Sequence, residues 1–276
     1  MYGYGFYNSF KPSVGAVVFD PDAQAFITAA SITDATQQGA VNQLVLDLKS
    51  ASIWTKMKAV YPFVGGSASS HKYNLKDPRD LDAAFRLTFA GGWTHNANGI
   101  TGNGSTSYGN THLVAASVLT NNSTHLSAYV RNNSGTGFDF GAFLGDNKSF
   151  RYTIYEANTY SFSDQYDDTT GRVMWNPQTD GTSVGFWTAT RNASNSHKIY
   201  RNATVKASNT NSSIKNISDI TLEMYIGCQL SGVGNPLNYS SRNYSFMSIG
   251  DGFSDAEVTA LNTIITTYQT TLSRNV

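Results

Sequence analysis

The sequence predicts an antiparallel β-sandwich, preceded by a helical segment and closed by one C-terminal helix. Three observations predict it. From about residue 70 the hydrophobic period is two: Phe85, Leu87 and Phe89 alternate with Arg86 and Thr88, and Leu126, Ala128 and Val130 with Ser127, Tyr129 and Arg131. Gly/Asn/Asp turns separate these runs, without the interleaved helices that a parallel βαβ sheet requires. The last stretch, "FSDAEVTALNTIITTYQTTL", then switches to helical spacing.

Taken in order, residues 1–20 are glycine-aromatic and then extended, and read as an arm or anchor. Residues 21–66 form a helical lead-in. Thr33 is the expected N-cap with Asp34 in the first turn, and Ala40, Val41, Leu44, Val45 and Leu48 share one face. A shorter helix is expected around "SIWTKMKAV", ending before Pro62 and the turn at Gly65-Gly66. Residues 67–276 form the sandwich. "SFRYTIY", "SVGFWTATR", "HKIYRNATVKAS", "ITLEMYIG" and "YSFMSIG" alternate as half-buried strands do. The closing helix spans 254–273, with Ser254 as N-cap, Glu257 at N3 completing a capping box, and Phe253 stapled on Val258. Its stripe of Val258, Leu261, Ile265, Tyr268 and Leu272 lasts about two heptads, which suits packing along the sandwich edge better than a trimeric coil.

Composition excludes several functions. Charged residues are 14 % of the 276, against roughly 25 % in an average domain, and 19 basic side chains balance 19 acidic ones. A nucleic-acid partner would require a basic surplus. No apolar run reaches membrane-span length. Cys228 is the only cysteine, so an intramolecular disulfide is impossible, and its strand-like context suits a buried thiol. The N-terminus lacks the n- and h-regions of a signal peptide. A charge-poor surface rich in Asn, Ser and Thr, on a chain without an export signal, suits a virus particle released by lysis.

Residues 91–110, "GGWTHNANGITGNGSTSYGN", are the densest candidate for ligand contact. They lack the third glycine of a dinucleotide fingerprint and the lysine of a P-loop, and no helix follows. Sugar recognition needs flat apolar faces and fixed hydrogen-bonding groups. Trp93, His95, Asn96, Asn98, Asn103, Tyr108 and Asn110 offer both, and are the glycan-binding candidates. Trp175 and Trp187 lie on strands and read as core. No catalytic set emerges. The three glutamates, Glu156, Glu223 and Glu257, do not form the paired acids of a glycosidase, since Glu257 caps a helix and Tyr225 stands where a second acid would follow Glu223. "GTSVG" around Ser183 is followed by a strand, not the helix of a nucleophile elbow. The five histidines lack H-x-x-x-H spacing. Asp164, Asp167 and Asp168 in "SDQYDDTTG" are weak Ca²⁺ candidates that read instead as a solvated turn, so no cofactor is expected.

Three stretches, "KDPRDLDAAFRLTFAGGWTHNANG", "HKIYRNATVKAS" and "YSFMSIGDGFSDAEV", resemble the laminin-G-like, concanavalin A-like jelly rolls of bacteriophage virion proteins, and the lead-in ending "WTKMKAVYPFVGG" resembles the segment preceding such domains. The hairpin departs from the pattern. A two-residue type I′ turn takes φ > 0 at both positions and usually reads Asn-Gly, so Asn202-Ala203 implies a longer turn or another type. The resemblance implies a non-enzymatic head-fibre, tail-fibre or capsid-decoration protein on the particle surface. Its partners would be other virion proteins, through the arm and helices, further copies of itself, and surface glycans. A purely structural decoration is the alternative, and a glycan depolymerase the third reading.

Overall fold

The computed structural model describes residues 18–134, 137–156, 159–176 and 181–276, with the side chains of Tyr155 and Glu156 excepted. Most of the expected N-terminal arm, residues 1–17, lies outside the described residues, as does Asp180. The chain runs through helices α1 (Pro21–Ala29) and α2 (Ala35–Ser50), strand β1 (Met57–Tyr61) and a helical turn α3 (Ala68–His71). Strands β2 (Thr88–Ala90), β3 (Thr94–Asn96), β4 (Gly99–Thr101) and β5 (Tyr108–Val114) follow, then the turn α4 (Ala115–Val118). Next come β6 (Thr124–Val130), β7 (Phe140–Gly145), β8 (Lys148–Glu156), β9 (Tyr160–Gln165) and β10 (Val173–Trp175). Strands β11 (Gly185–Ala193), β12 (Ser196–Arg201), β13 (Thr204–Asn209), β14 (Glu223–Ile226), β15 (Gln229–Ser231), β16 (Pro236–Leu237) and β17 (Asn243–Gly250) lead to helix α5 (Asp255–Thr271).

The strands form the expected antiparallel jelly-roll sandwich. One sheet has the order β13-β12-β11-β6-β17-β4-β3, with β1 also on β17; the other has the order β10-β9-β8-β7-β14-β5-β2. Leu126, Ala128, Trp187, Ile199, Met247 and Ile249 of the first sheet meet Leu113, Phe140, Phe150, Tyr152, Met224 and Ile226 of the second. Trp187 is fully buried and lies 5.6 Å from Trp175, so both tryptophans belong to the core, as their strand positions suggest.

A second core explains why β6 is buried on both faces. Tyr129, Phe186, Tyr200 and Phe246 point away from the sandwich and meet α1, α2 and α5. Ala40, Val41, Leu44, Val45 and Leu48 of α2 sink into this layer with Val258, Leu261, Ile265 and Tyr268 of α5. Each large apolar side chain so buried contributes about 1.5–3 kcal/mol. The lead-in helices thus share a core with the sandwich. Ser254 and Glu257 form the expected capping box, but α5 lies on the face of the first sheet and against α2, not along an edge.

Four local expectations are corrected. Asp34, not Thr33, is the N-cap of α2, accepting from Gln37 N at 2.8 Å. "SIWTKMKAV" is not a helix: only Trp54–Lys56 make a 3₁₀ turn, and Met57–Tyr61 pair with β17. "AAFRLTF" is not one strand, because Asp82–Ala84 are 3₁₀, Phe85 has φ 58°, and the ladder begins at Thr88. The Asn202-Ala203 hairpin does have a two-residue loop, with φ 48° and 61°, and Arg201 pairs Thr204. Alanine therefore occupies a left-handed position that glycine normally takes. Among the described residues, no helix is long and apolar enough to cross a membrane.

Candidate functional site

With the helices on one sheet, the other sheet keeps its outer face free of them. At the β2–β5–β14 end that face carries an aromatic and polar cluster. Strand β5 turns Gly109, Thr111 and Leu113 inward and leaves Tyr108, Asn110 and His112 half-buried on the outside. Strand β14 alternates likewise, with Met224 and Ile226 in the core and Glu223 and Tyr225 outward. The register opposes Tyr225 to Asn110, so the two outward rows interdigitate. Tyr108 and Tyr225 stack with centroids 5.2 Å apart and planes 11° from parallel. Asn110 Nδ2 donates to Glu223 Oε2 at 2.6 Å, and Thr88 faces Asn110 from β2.

His112 is the strained member. Between the pairs Glu223–Val114 and Tyr225–Asn110, three residues of β5 oppose Met224 alone, and this bulge gives His112 φ 55°. A non-glycine residue there costs about 1 kcal/mol. The bulge aims the imidazole across the cluster. Its Nε2 lies 2.8 Å from Thr88 Oγ1 and 3.4 Å from Asp82 Oδ1, while Nδ1 lies 3.4 Å from Glu223 Oε1. Asn110 Oδ1 accepts from His112 N at 2.8 Å. Burial first, and then Tyr108, Glu223 and Cys228 nearby, hold the Tyr225 phenol above its ordinary pKa. Burial, followed by Cys228 and Tyr108, raises that of Tyr239 also.

Elsewhere on this outer face the chain's own residues lie against it at two places. Gln229 lies over Gly141 so closely that a Cβ there would stand 2.4 Å from Gln229 Cα, which seats the β15–β16 ribbon over β7. Beyond it, Asp164 faces Arg151 across β8–β9 and is fully buried, accepting from Arg151 Nε at 2.7 Å and Arg172 Nε at 2.6 Å. This corrects the solvated-turn reading of Asp164, Asp167 and Asp168. Burial opposes the Asp167 charge, yet hydrogen bonds from Ile214, Thr169 and Ser213 hold its carboxyl down at about 2. Asp168 leans on Arg151 at 3.4 Å. Among the described residues, no His/Cys/Asp/Glu group could hold a metal ion.

The seven candidate residues of 91–110 fall into four groups. Tyr108 and Asn110 belong to the outer-face cluster. Trp93 is partly buried between the sheets, edge-on to Phe89 at 5.9 Å and near Tyr244, with its ring against Gly227, where a Cβ would meet Trp93 Cη2 at 2.6 Å. His95 pairs with buried His71, Nδ1 to Nδ1 at 3.1 Å. Since Gly66 N–H donates to His71 Nε2, His71 Nδ1 carries the proton and His95 Nδ1 accepts it. Asn96, Asn98 and Asn103 shape turns. Asn98 N donates to Asn96 Oδ1, and Asn103 Oδ1 accepts from Ser105, Thr106 and Ser107 N. Residues 91–110 are thus mostly a crossing between sheets, and only their end reaches the cluster. Glu223, Tyr225, His112, Asp82 and Thr88 were not candidates from sequence, although the alternation in "EMYIG" and "YGNTHLV" places their outward members.

Two earlier exclusions gain a physical reason. Ser183 is buried, donates to Asn132 O at 2.8 Å, and precedes β11, so it is a core hydroxyl. Burial pushes the Cys228 thiol up, away from reactivity.

No family model matches this chain, and no curated protein matches its sequence. Solved structures do. Domain 4 of AbnA, a GH43 extracellular arabinanase from Geobacillus stearothermophilus, in complex with arabinotriose, aligns at 16 % identity and TM-score 0.42, over 75 % of this chain and 98 % of that one. The Ruminococcus gnavus IT-sialidase CBM40 bound to α2,3 sialyllactose aligns at 13 % and 0.43, over 64 % and 96 %. The botulinum neurotoxin serotype D binding domain aligns at 12 % and 0.47, over 77 % of this chain and 52 % of that one, about half its length. Likeness this distant assigns no function, and the fold rests on the strand pairing itself.

Proposed function

We propose that this chain is a glycan-binding β-sandwich of a bacteriophage virion, a fibre or capsid decoration on the particle surface that attaches to host or environmental glycans. The observation that carries the binding is the stacked Tyr108–Tyr225 pair beside Asn110, Glu223 and His112, on the sheet face that, among the described residues, none of α1, α2 and α5 covers. Aromatic rings receive the C–H flank of a pyranose, and fixed polar groups read its hydroxyls. Many copies on one particle would turn weak single-site binding into avidity. The virion setting is supported by the resemblance of the three quoted stretches and by the charge-poor, Asn-rich composition. The N-terminal arm and the helices would face other virion proteins or further copies.

Two competing readings have less support. A purely structural decoration would favour an exposed apolar stripe on the helices, yet their stripes are buried in the second core and Leu46 is the one large apolar side chain exposed on the described helices. A depolymerase needs two carboxyl groups across a scissile bond. Asp82 and Glu223 flank the cluster, but His112 fills the space between them. An array of bacterial surface glycans, with a parallel assay for new reducing ends, tests the proposal. Binding without cleavage, lost in Tyr225→Ala, is the expected result. Silence across the array, with virion proteins as the only partners, would make this a structural module.

A further inference from the structure

From the same cluster we infer that the ligand is a neutral or amino glycan, rich in hydrogen-bond donors, and that acidic sugars are discriminated against. This rests on the outer-face site proposed above. The cluster is dominated by acceptors. Glu223 is 40 % exposed, and Asp82, at the other end of His112, is 57 % exposed. Asn110 is already committed, its Nδ2 to Glu223 and its Oδ1 to His112 N, so it orients the carboxylate and leaves Glu223 lone pairs to take a ligand's donors.

Among the described residues, the cations nearest the cluster are already paired, and Arg86 offsets the charge of Asp82 at its edge. Arg86 is bonded to Asp80 and Asp82. Lys72 is paired with Asp80. Among the described residues, no lysine or arginine pairs with Glu223; the nearest ring nitrogen is His112 Nδ1 at 3.4 Å. Recognition of a carboxylate normally uses an arginine fork or a lysine. Here an incoming carboxylate would meet the charge of Glu223 instead, since Arg86 already offsets that of Asp82. At a separation near 5 Å and a surface dielectric this repulsion corresponds to about tenfold or more in affinity. Hydroxyls or ammonium groups meet the opposite situation, since each finds a charged acceptor.

The test uses the whole chain and matched glycan pairs in which a hydroxymethyl group is replaced by a carboxylate: a galactose oligomer against its galacturonate counterpart, and a mannose oligomer against its mannuronate counterpart. Titration at pH 8 in low salt is expected to show the neutral member bound at least about tenfold more tightly than the acidic one. Glu223→Gln should shrink that ratio toward one, whatever it does to absolute affinity, with Asp82→Asn as a second variant should the first fold poorly. Equal or tighter binding of the acidic member, or a ratio that both variants leave unchanged, overturns the inference while the site stands. No binding by either member of any pair overturns the glycan reading itself, and the inference with it.

Discussion

Acid should unfold this protein early, and three histidines set the slope. His71, His125 and His197 are buried, and burial, with His95 and Arg274 beside the first, Lys56 and Lys58 beside the second, and Arg191 beside the third, lowers each to about 3. His125 Nδ1 donates to Asp251 O and its Nε2 accepts from Ser248 Oγ; His197 repeats this arrangement with Gly171 O and Ser163 Oγ. Both are thus held as one neutral tautomer. The ordinary pKa near 6.5 applies to the unfolded chain. Between 6.5 and 3 the unfolded state binds protons that the folded state refuses, so stability is full above 6.5 and falls as the pH drops through that window. Each histidine contributes about 1.4 kcal/mol per pH unit, and three contribute about 4. From pH 6.5 to 5 the loss is about 5 kcal/mol, comparable to the whole stability of many domains. Urea unfolding at pH 7.5, 6.5, 5.5 and 5.0 measures the slope. His197→Asn, whose amide can still donate to Gly171 O, should lower it by about a third. A stability that is flat from pH 7 to 5, or falls by less than one proton's worth per unit, would refute the reasoning.

Other predictions concern single positions. Ala203→Gly should stabilise the protein by about 0.5–1 kcal/mol, read from urea midpoints, because it relieves the φ 61° position of the hairpin. Ser254→Ala should cost about 1 kcal/mol by breaking the α5 capping box, with no change in ligand binding. Trp93→Ala should cost about 3 kcal/mol as a cavity between the sheets. Trp93→Phe should cost less, since it also removes an indole N–H that is buried without a partner.

The sequence shows the sandwich because polar or aromatic residues alternate with the core row, on half-buried β5 and β14 and also on β6, whose second face is dry, and it shows α5 because its cap and stripe are local. It fails for β1. Ala59 and Tyr61 face the inter-sheet core while Met57 and Val60 face the helices, so both faces are apolar and the run imitates a helix. It fails at Phe85 because bonds to distant residues, Tyr61 Oη to Phe85 O and Leu87 N to Lys72 O, hold that chain off the ladder. The site was half legible. Tyr108 and Asn110 stand in a visibly polar-aromatic stretch, but Glu223 and Tyr225 reach them across more than a hundred residues, through a strand pairing that no local pattern announces. His112 depends on a bulge, which no spacing reveals. Trp93 misleads for the converse reason: an aromatic in a glycine-rich stretch resembles a sugar platform until the sheet crossing folds it inward.

The central claim is that ligand is met on the β2–β5–β14 face. Chemical-shift mapping of the isotope-labelled chain, titrated with the best-binding neutral glycan, tests it most directly. The account predicts shifts concentrated at Tyr108, Asn110, His112, Glu223 and Tyr225, with the α2–α5 surface and the Ala97-Asn98 turn unmoved. Shifts confined to residues 91–98 or to the helices would contradict it.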